Sequence, residues 1–285
     1  MKILLVNIIG NQLDSKPEPS MEVKRYKNDF IPIESKYYTI ERRPPLGLMY
    51  LASVLKQYGI DTIIIDEATQ KLSVNFLINF LNKEQFLFIG FTSNFFSKDK
   101  VKYYIREIKK YKEIPIVVGG PGYIHADEFL NEGCDIVANG ESENTILDIV
   151  AYFKGERTLE SISGISFKKN GAVLNKGIGR PVMDLDSIPF PSYDSIKLND
   201  YFDLFVPTIK YPFATIIASR GCPFSCSFCF IKNATGKKLR IRTPENVISE
   251  IEMLIQNYKI KYLICPAYLI IGLFKVEIRY NFLHE

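Results

Sequence analysis

No stretch of this 285-residue chain reaches the ~18 apolar residues that a membrane span requires. The longest apolar run, Tyr262 to Phe274, is broken by Pro266 and Gly272. Nothing at the start reads as a secretory leader either. The chain opens on the strand-like run Lys2-Ile3-Leu4-Leu5-Val6, without an extended apolar stretch or a small-residue cleavage site. A large excess of charge is also missing. Lys+Arg 36 against Asp+Glu 32 gives +4, too little to argue for a nucleic-acid or membrane partner. Cysteine is scarce and badly spaced for a disulfide framework, with three of the five residues inside eight positions. The expected compartment is the reducing cytoplasm.

What is present is ordinary core-forming material. Apolar residues make up 47% and charged residues 24%, which excludes general disorder. Over the first 155 residues short β-branched runs alternate with helical periodicity. Strands are expected at Ile3–Val6, Thr62–Ile65, Phe86–Phe91, Ile114–Val118 and Asp135–Ala138. Helices are expected from Leu46 to Tyr58, through Val101, Ile105 and Ile108, and through Ile146, Ile149 and Val150. Right-handed crossovers then give an α/β fold, a doubly wound parallel sheet covered on both faces. The stretch from Asn7 to Pro45, with five prolines, is long for a connection, and a functional or partly disordered reading is open.

The pattern changes near Gly155. Ile165-Ser166-Phe167 and Ala172-Val173-Leu174 flank Asn170-Gly171, a hairpin signal. Asp184 to Tyr193, with Pro189 and Pro191, reads as extended linker. A strand at Ala214–Ala218 and a helix capped by Thr243-Pro244-Glu245 follow, with Val247, Ile251, Leu254, Ile255 and Tyr258 on its core face. The division expected is therefore 1–155, a doubly wound domain; 156–211, hairpin and linker; and 212–285, a second unit.

Cys222-Pro-Phe-Ser-Cys226-Ser-Phe-Cys229 is the strongest signal. Three thiolates at spacings of four and three can wrap one metal centre, and soft sulfur favours iron–sulfur or zinc. Structural zinc wants four protein ligands, and the later candidates Cys265 and His284 lie far from any paired spacing. Three ligands without a fourth describe a cubane with one iron left open; zinc or an inert thiol group is the competing reading.

Cys222, Cys226, Phe228 and Cys229, placed just after a strand, resemble the CxxxCxΦC signature of the radical S-adenosylmethionine (SAM) enzymes. Further motifs recur in order in one subgroup: Pro45-Leu46-Gly47-Leu48, Gly119-Gly120-Pro121, Asn139-Gly140-Glu141-Ser142-Glu143, Leu185 to Pro191, Ser219-Arg220-Gly221-Cys222 and Arg242-Thr243-Pro244-Glu245-Asn246. Together they resemble the cobalamin (B12)-binding radical SAM proteins, over residues 1 to about 260. The resemblance implies a flavodoxin-like, B12-binding-type first domain followed by the first units of a partial (β/α) radical SAM barrel. It implies Cys222, Cys226 and Cys229 as ligands of a [4Fe–4S] cluster and Phe228 beside the adenine of SAM. It also implies reductive SAM cleavage, with methyl transfer to an unactivated carbon of a small-molecule substrate and an electron donor of flavodoxin or ferredoxin type.

A doubly wound sheet binds ligands beyond the carboxyl ends of its strands. Asn7, Thr92, Ser93, Gly119, Gly120, Pro121, Asn139, Gly140 and Glu141 fall there and are the expected cobalamin contacts. The competing reading is that these are the tight turns every such sheet needs. The D-x-H-x-x-G motif of many cobalamin folds is missing, so no histidine ligand to cobalt is expected. His125 is expected in a surface or capping role. The run Lys232, Lys237, Lys238, Arg240, Arg242 reads as a solvated loop, and no nucleic acid is expected.

A six-unit barrel at about 30 residues per unit needs roughly 180 residues, and 74 run from Pro212 to Glu285. The expectation is a truncated copy, or a chain completed by a second one. A catalytically inactive corrinoid-binding module with a vestigial cysteine loop is the alternative function. A bare structural domain with neither cofactor is a third.

Overall fold

In the computed structural model the described residues are 1–10, 25–26, 29–30, 41–70, 72–203, 212–227 and 229–265. The expected contact Phe228, the residue His284 and most of the long Asn7–Pro45 stretch lie outside them. Among the described residues no helix is long and apolar enough to cross a membrane.

The first unit runs β1 (Lys2–Asn7), α1 (Leu46–Gln57), β2 (Asp61–Asp66), α2 (Val74–Lys83), β3 (Ile89–Thr92), α3 (Lys98–Tyr111), β4 (Ile116–Gly119), α4 (Ala126–Asn131), β5 (Ile136–Ala138) and α5 (Glu143–Phe153). A hairpin of β6 (Ile165–Lys169) and β7 (Ala172–Asn175) follows. The seven strands form one sheet in the order β7-β6-β5-β4-β3-β1-β2. Strands β1 to β5 are parallel in the order 2-1-3-4-5, the flavodoxin-like arrangement. Central strands are apolar on both sides because helices cover both faces. In β1, Ile3 and Leu5 enter the layer with α1 and α5, while Leu4 and Val6 enter the layer with α2, α3 and α4.

The hairpin departs from the expected division. β6 pairs antiparallel with β5 and β7 with β6, so residues expected between domains extend the first sheet. The Asn170-Gly171 turn behaves as its sequence suggests, with both residues at positive φ of 50° and 82°.

In the second unit β8 (Phe213–Thr215) pairs in parallel with β11 (Tyr262–Ile264). Between them lie β9 (Ser219–Arg220), α6 (Ile231–Thr235), β10 (Arg240–Ile241) and α7 (Pro244–Tyr258). The N-terminus of α7 is capped as expected, with Thr243 Oγ1 accepting from Asn246 N–H at 3.3 Å and Pro244 in the first turn. Ala214, Ile216, Ile251 and Leu254 join the same apolar cluster as Leu5, α1 and α5. One face of the first sheet thus carries the second unit, and this sets the two units around a shared crevice.

Candidate functional site

Every parallel strand of a doubly wound sheet ends on the same edge, and here that edge opens into a cavity of about 460 Å³. Its floor is cleared by small residues on neighbouring strands, Gly90 on β3, Gly119 on β4 and Ala138 on β5. The walls come from both units: the start of α1 from Pro45 to Leu48, the β5–α5 turn, and Ser219, Arg220 and Gly221 of the second unit.

Of the nine expected cobalamin contacts, Asn7, Thr92, Gly119, Gly120, Gly140 and Glu141 line this cavity. Ser93 is almost wholly buried beside it, its N–H donating to Gly119 O at 2.9 Å and its O accepting from Gly122 N–H at 2.8 Å. Pro121 opens a 3-10 turn. Asn139 is also buried, and its amide donates to Ser166 Oγ at 3.0 Å and Gly177 O at 2.9 Å, tying β5 to the hairpin. Asn7 gives its side-chain N–H to Asp66 Oδ1 at 2.8 Å.

Gly120 supplies a local test of fit. Its φ is +81°, and a Cβ there would sit 2.6 Å from Thr92 Oγ1 and 2.8 Å from Ser93 O. Only glycine lets the β4 turn lie this close to the end of β3 and keep the crevice open above it. A broad, mostly apolar floor ringed by backbone and a few neutral polar groups, with the charges of Arg220, Glu141 and Glu143 paired among themselves in the wall, suits a corrinoid, a large ring bearing neutral amides.

The cysteine loop leaves β9 at the rim. Cys222, Cys226 and Cys229 are free thiols, Cys226 exposed and the other two half-buried. Cys229 N–H donates to Cys226 O at 3.2 Å, so these two share one turn, while Cys222 N–H donates to Gly236 O at 3.1 Å. Among the described residues no three His, Cys, Asp or Glu side chains stand together as a metal-holding group. The donor set suits an iron–sulfur cluster, although the three thiols are carried on one loop without being gathered. Phe230 anchors the loop's far side, edge-on to Phe95 at 5.5 Å and 5.9 Å from Tyr123. Cys134 is buried, with Ile116 O at 3.3 Å from its Sγ, and burial pushes its thiol well up. His125 lies at the start of α4 with Nδ1 3.0 Å from Glu128 Oε1.

The solvated-loop reading of the basic run holds for Lys237 and Lys238, which are exposed, and fails for Arg240 and Arg242, which are buried. Arg240 donates to both oxygens of Glu141, to Val182 O at 2.7 Å and to Thr235 O at 2.8 Å. Arg220 meets Glu143 Oε1 at 2.5 Å and Glu141 Oε2 at 3.5 Å, and lies over the Tyr50 ring at 4.9 Å. Burial, with Glu250 nearby, pushes the Tyr50 phenol up to about 12, which keeps it protonated in this wall. Glu143 Oε2 is buried without a hydrogen-bond partner. Sequence carried one clue to the buried arginines: Arg240, in β10, and Arg242, just after it, flank the exposed Ile241 at alternate positions, an extended spacing that turns both to one side.

Comparison with known proteins gives a consistent picture. Residues 41–150 match the B12 binding domain family. An uncharacterised methyltransferase of Pyrococcus horikoshii is 33% identical over 76% of this chain and 47% of its own length. The anaerobic magnesium-protoporphyrin IX monomethyl ester cyclase of Rubrivivax gelatinosus is 28% identical over 78% of this chain and 40% of its own. The chain therefore spans less than half the length of these relatives. Among solved structures, the cobalamin-dependent SAM radical enzyme OxsB, with aqua-cobalamin and SAM bound, superposes at a TM-score of 0.68 with 21% identity, over 94% of this chain and 34% of that one. The radical SAM methyltransferase TsrM of Kitasatospora setae, with cobalamin and a [4Fe–4S] cluster, gives 0.63 with 14% identity, over 93% and 47%.

Proposed function

We infer the function from one premise: this chain carries a B12-binding domain and is homologous to cobalamin-dependent radical SAM methyltransferases. Its function is to hold a corrinoid in the crevice at the carboxyl edge of the sheet, beside a [4Fe–4S] cluster held by Cys222, Cys226 and Cys229. SAM is the co-substrate, Phe228, outside the described residues, is assigned to its adenine by the sequence motif alone, and a small molecule is the methyl acceptor. The observation that carries this reading is a cavity lined at once by the Gly119–Gly120 turn of the sheet and by Arg220–Gly221, one residue before the first thiol of the loop.

Bound there, cobalamin supplies a methyl-carrying cobalt and the cluster supplies the electron that cleaves SAM. The chain's own residues do the positioning. Gly120 leaves room for the ring to approach the backbone. Asn7 and Thr92 offer side-chain oxygens to its amides. Among the described residues that line the cavity none is a histidine, so none of them offers an imidazole to cobalt. An electron donor of flavodoxin or ferredoxin type, and a second chain that completes the barrel, belong to the same proposal.

The test is anaerobic reconstitution of the full chain with iron, sulfide and hydroxocobalamin, followed by gel filtration. A broad iron–sulfur absorbance and a retained corrinoid spectrum are expected, the former lost in the Cys222→Ala/Cys226→Ala/Cys229→Ala variant. Zinc in the loop, or a chain that emerges without corrinoid, overturns the reading. Retained corrinoid with no SAM cleavage by the reduced protein moves the function to an inactive corrinoid-binding module.

A further inference from the structure

The cysteine loop is an excursion whose base is the two-residue ladder of β9 and β10. In that ladder Arg220 stands directly opposite Arg240. Like charges across a strand pair repel, and these side chains are only 9% and 3% exposed, so water and salt do little to screen them. Among the described residues, neither arginine is neutralised from within the second unit. Their counter-charges come from the β5–α5 turn of the first unit. Glu141 Oε2 accepts from Arg240 at 2.8 Å and lies 3.5 Å from Arg220; its Oε1 also pairs with Arg240. Glu143 takes Arg220 at 2.5 Å. Just above the ladder the two arms of the loop touch, since a Cβ on Gly221, at φ +90°, would run into the Lys238 carbonyl. Both the turn and Arg220 line the crevice.

We propose that Glu141 is the positioning residue of the cysteine loop: its carboxylate, shared by the two arginines that close the loop's base, fixes the loop's described residues, 221–227 and 229–239, at the rim of the crevice. The proposal rests on the functional reading above only in giving that loop and that crevice their cofactors. A buried ion network contributes little net stability compared with apolar packing, and its best-attested use is to select one register. Here the register selected is that of the thiol loop against the sheet edge. The electrostatics also predict a rescue. Glu141→Gln leaves two facing, buried arginines with one carboxylate between them. Removing one of those positive charges in Glu141→Gln/Arg240→Gln restores the balance, and the glutamine amide can still donate to a carbonyl.

Hydrogen exchange of the full chain without cofactors tests the clamp directly. In Glu141→Gln the amides that close the loop, Cys222 N–H to Gly236 O and Arg242 N–H to Ala218 O, exchange roughly tenfold or more faster, while those of β3 and β4 are unchanged. In the double variant the loop amides return toward native rates. Native-like exchange in the single variant overturns the proposal, and so does a double variant faster than the single one, the outcome expected if Glu141 only fills space. If Glu141→Gln unfolds, the double variant decides: recovered sheet protection supports the clamp and its absence overturns it. In protein loaded with iron, sulfide and cobalamin, the dipolar splitting between reduced cluster and cob(II)alamin is narrow in the native chain, broad in Glu141→Gln and narrow again in the double variant. Native protein that takes up neither cofactor removes the functional reading, and the exchange result still decides the clamp.

Discussion

Arg242 and Glu250 meet at 2.5 Å with Glu250 fully buried and the arginine 4% exposed. Tyr193, from the segment joining the two units, donates its hydroxyl to Glu250 Oε1 at 2.9 Å. Arg242 also donates to Ile217 O at 2.8 Å and to Asn246 Oδ1 at 2.7 Å. Three stretches of chain are thereby held by one pair: the linker, the β8–β9 connection that leads toward the cysteine loop, and α7.

Removing one partner of a buried pair strands the other charge, which costs about 3–5 kcal/mol. Arg242→Met is therefore expected to lower the urea midpoint strongly and to loosen the linker against α7. Tyr193→Phe removes one donor from the same carboxylate and is expected to cost about 1–3 kcal/mol. Equilibrium urea unfolding of the two variants ranks them, with Arg242→Met the more destabilised.

At Gly120 a side chain is excluded twice, by φ +81° with ψ −176° and by Thr92 and Ser93 within 3 Å of the Cβ position. Gly120→Ala forces the turn away from β3 at a cost of about 1–3 kcal/mol. Because the turn lines the crevice, retention of hydroxocobalamin on gel filtration is expected to fall by more than thermal stability does. Equal corrinoid retention by the variant would place the ring elsewhere.

The features visible in sequence were those set locally. Strands buried on both faces, such as Ile3–Val6, announce themselves as continuous apolar runs, and Thr243-Pro244 marks the start of α7 within three residues. Features set by distant partners were not visible. The hairpin at 165–175 reads as a hairpin, yet nothing local says that Phe167 will pair with Ile136 and extend the sheet. Arg240 looks like one of five solvated cations because its partner Glu141 is 99 residues away. Asn139 sits at a strand end like a ligand contact, and its amide is consumed by Ser166 and Gly177, which only the folded hairpin brings near.

Acid titration should report the α3–α4 face. Lys102 and Lys98 hydrogen-bond to Glu128 and hold its carboxyl at about 2, below its ordinary 4.5. A depressed carboxylate stabilises the fold above its unfolded pKa, and that contribution is lost as pH falls from about 4.5 through about 2. Glu128→Gln is expected to flatten the stability profile in that window. The pairs are partly exposed, so the difference is largest at low salt and shrinks near 0.1 M, where the Debye length is about 10 Å.

The five thiols divide by environment, and alkylation can read the division. Thiolate is the reacting form, so a thiol that burial keeps protonated and shielded reacts only after unfolding. Cys134 meets both conditions, enclosed between β4 and β5 with its thiol pushed up by burial. Cys226 and Cys265 are exposed, and Cys222 and Cys229 half-buried. In cofactor-free native protein, iodoacetamide is expected to mark the exposed Cys226 first, then Cys222, Cys229 and Cys265, the last because desolvation pushes its thiol up, and to leave Cys134 unmarked until denaturant is added. After anaerobic loading with iron and sulfide, Cys222, Cys226 and Cys229 should lose their reactivity together, because each thiolate is then a ligand, while Cys265 reacts as before. Peptide mass spectrometry separates this from loss of a single site, and continued labelling of all three after loading would remove the cluster from the loop.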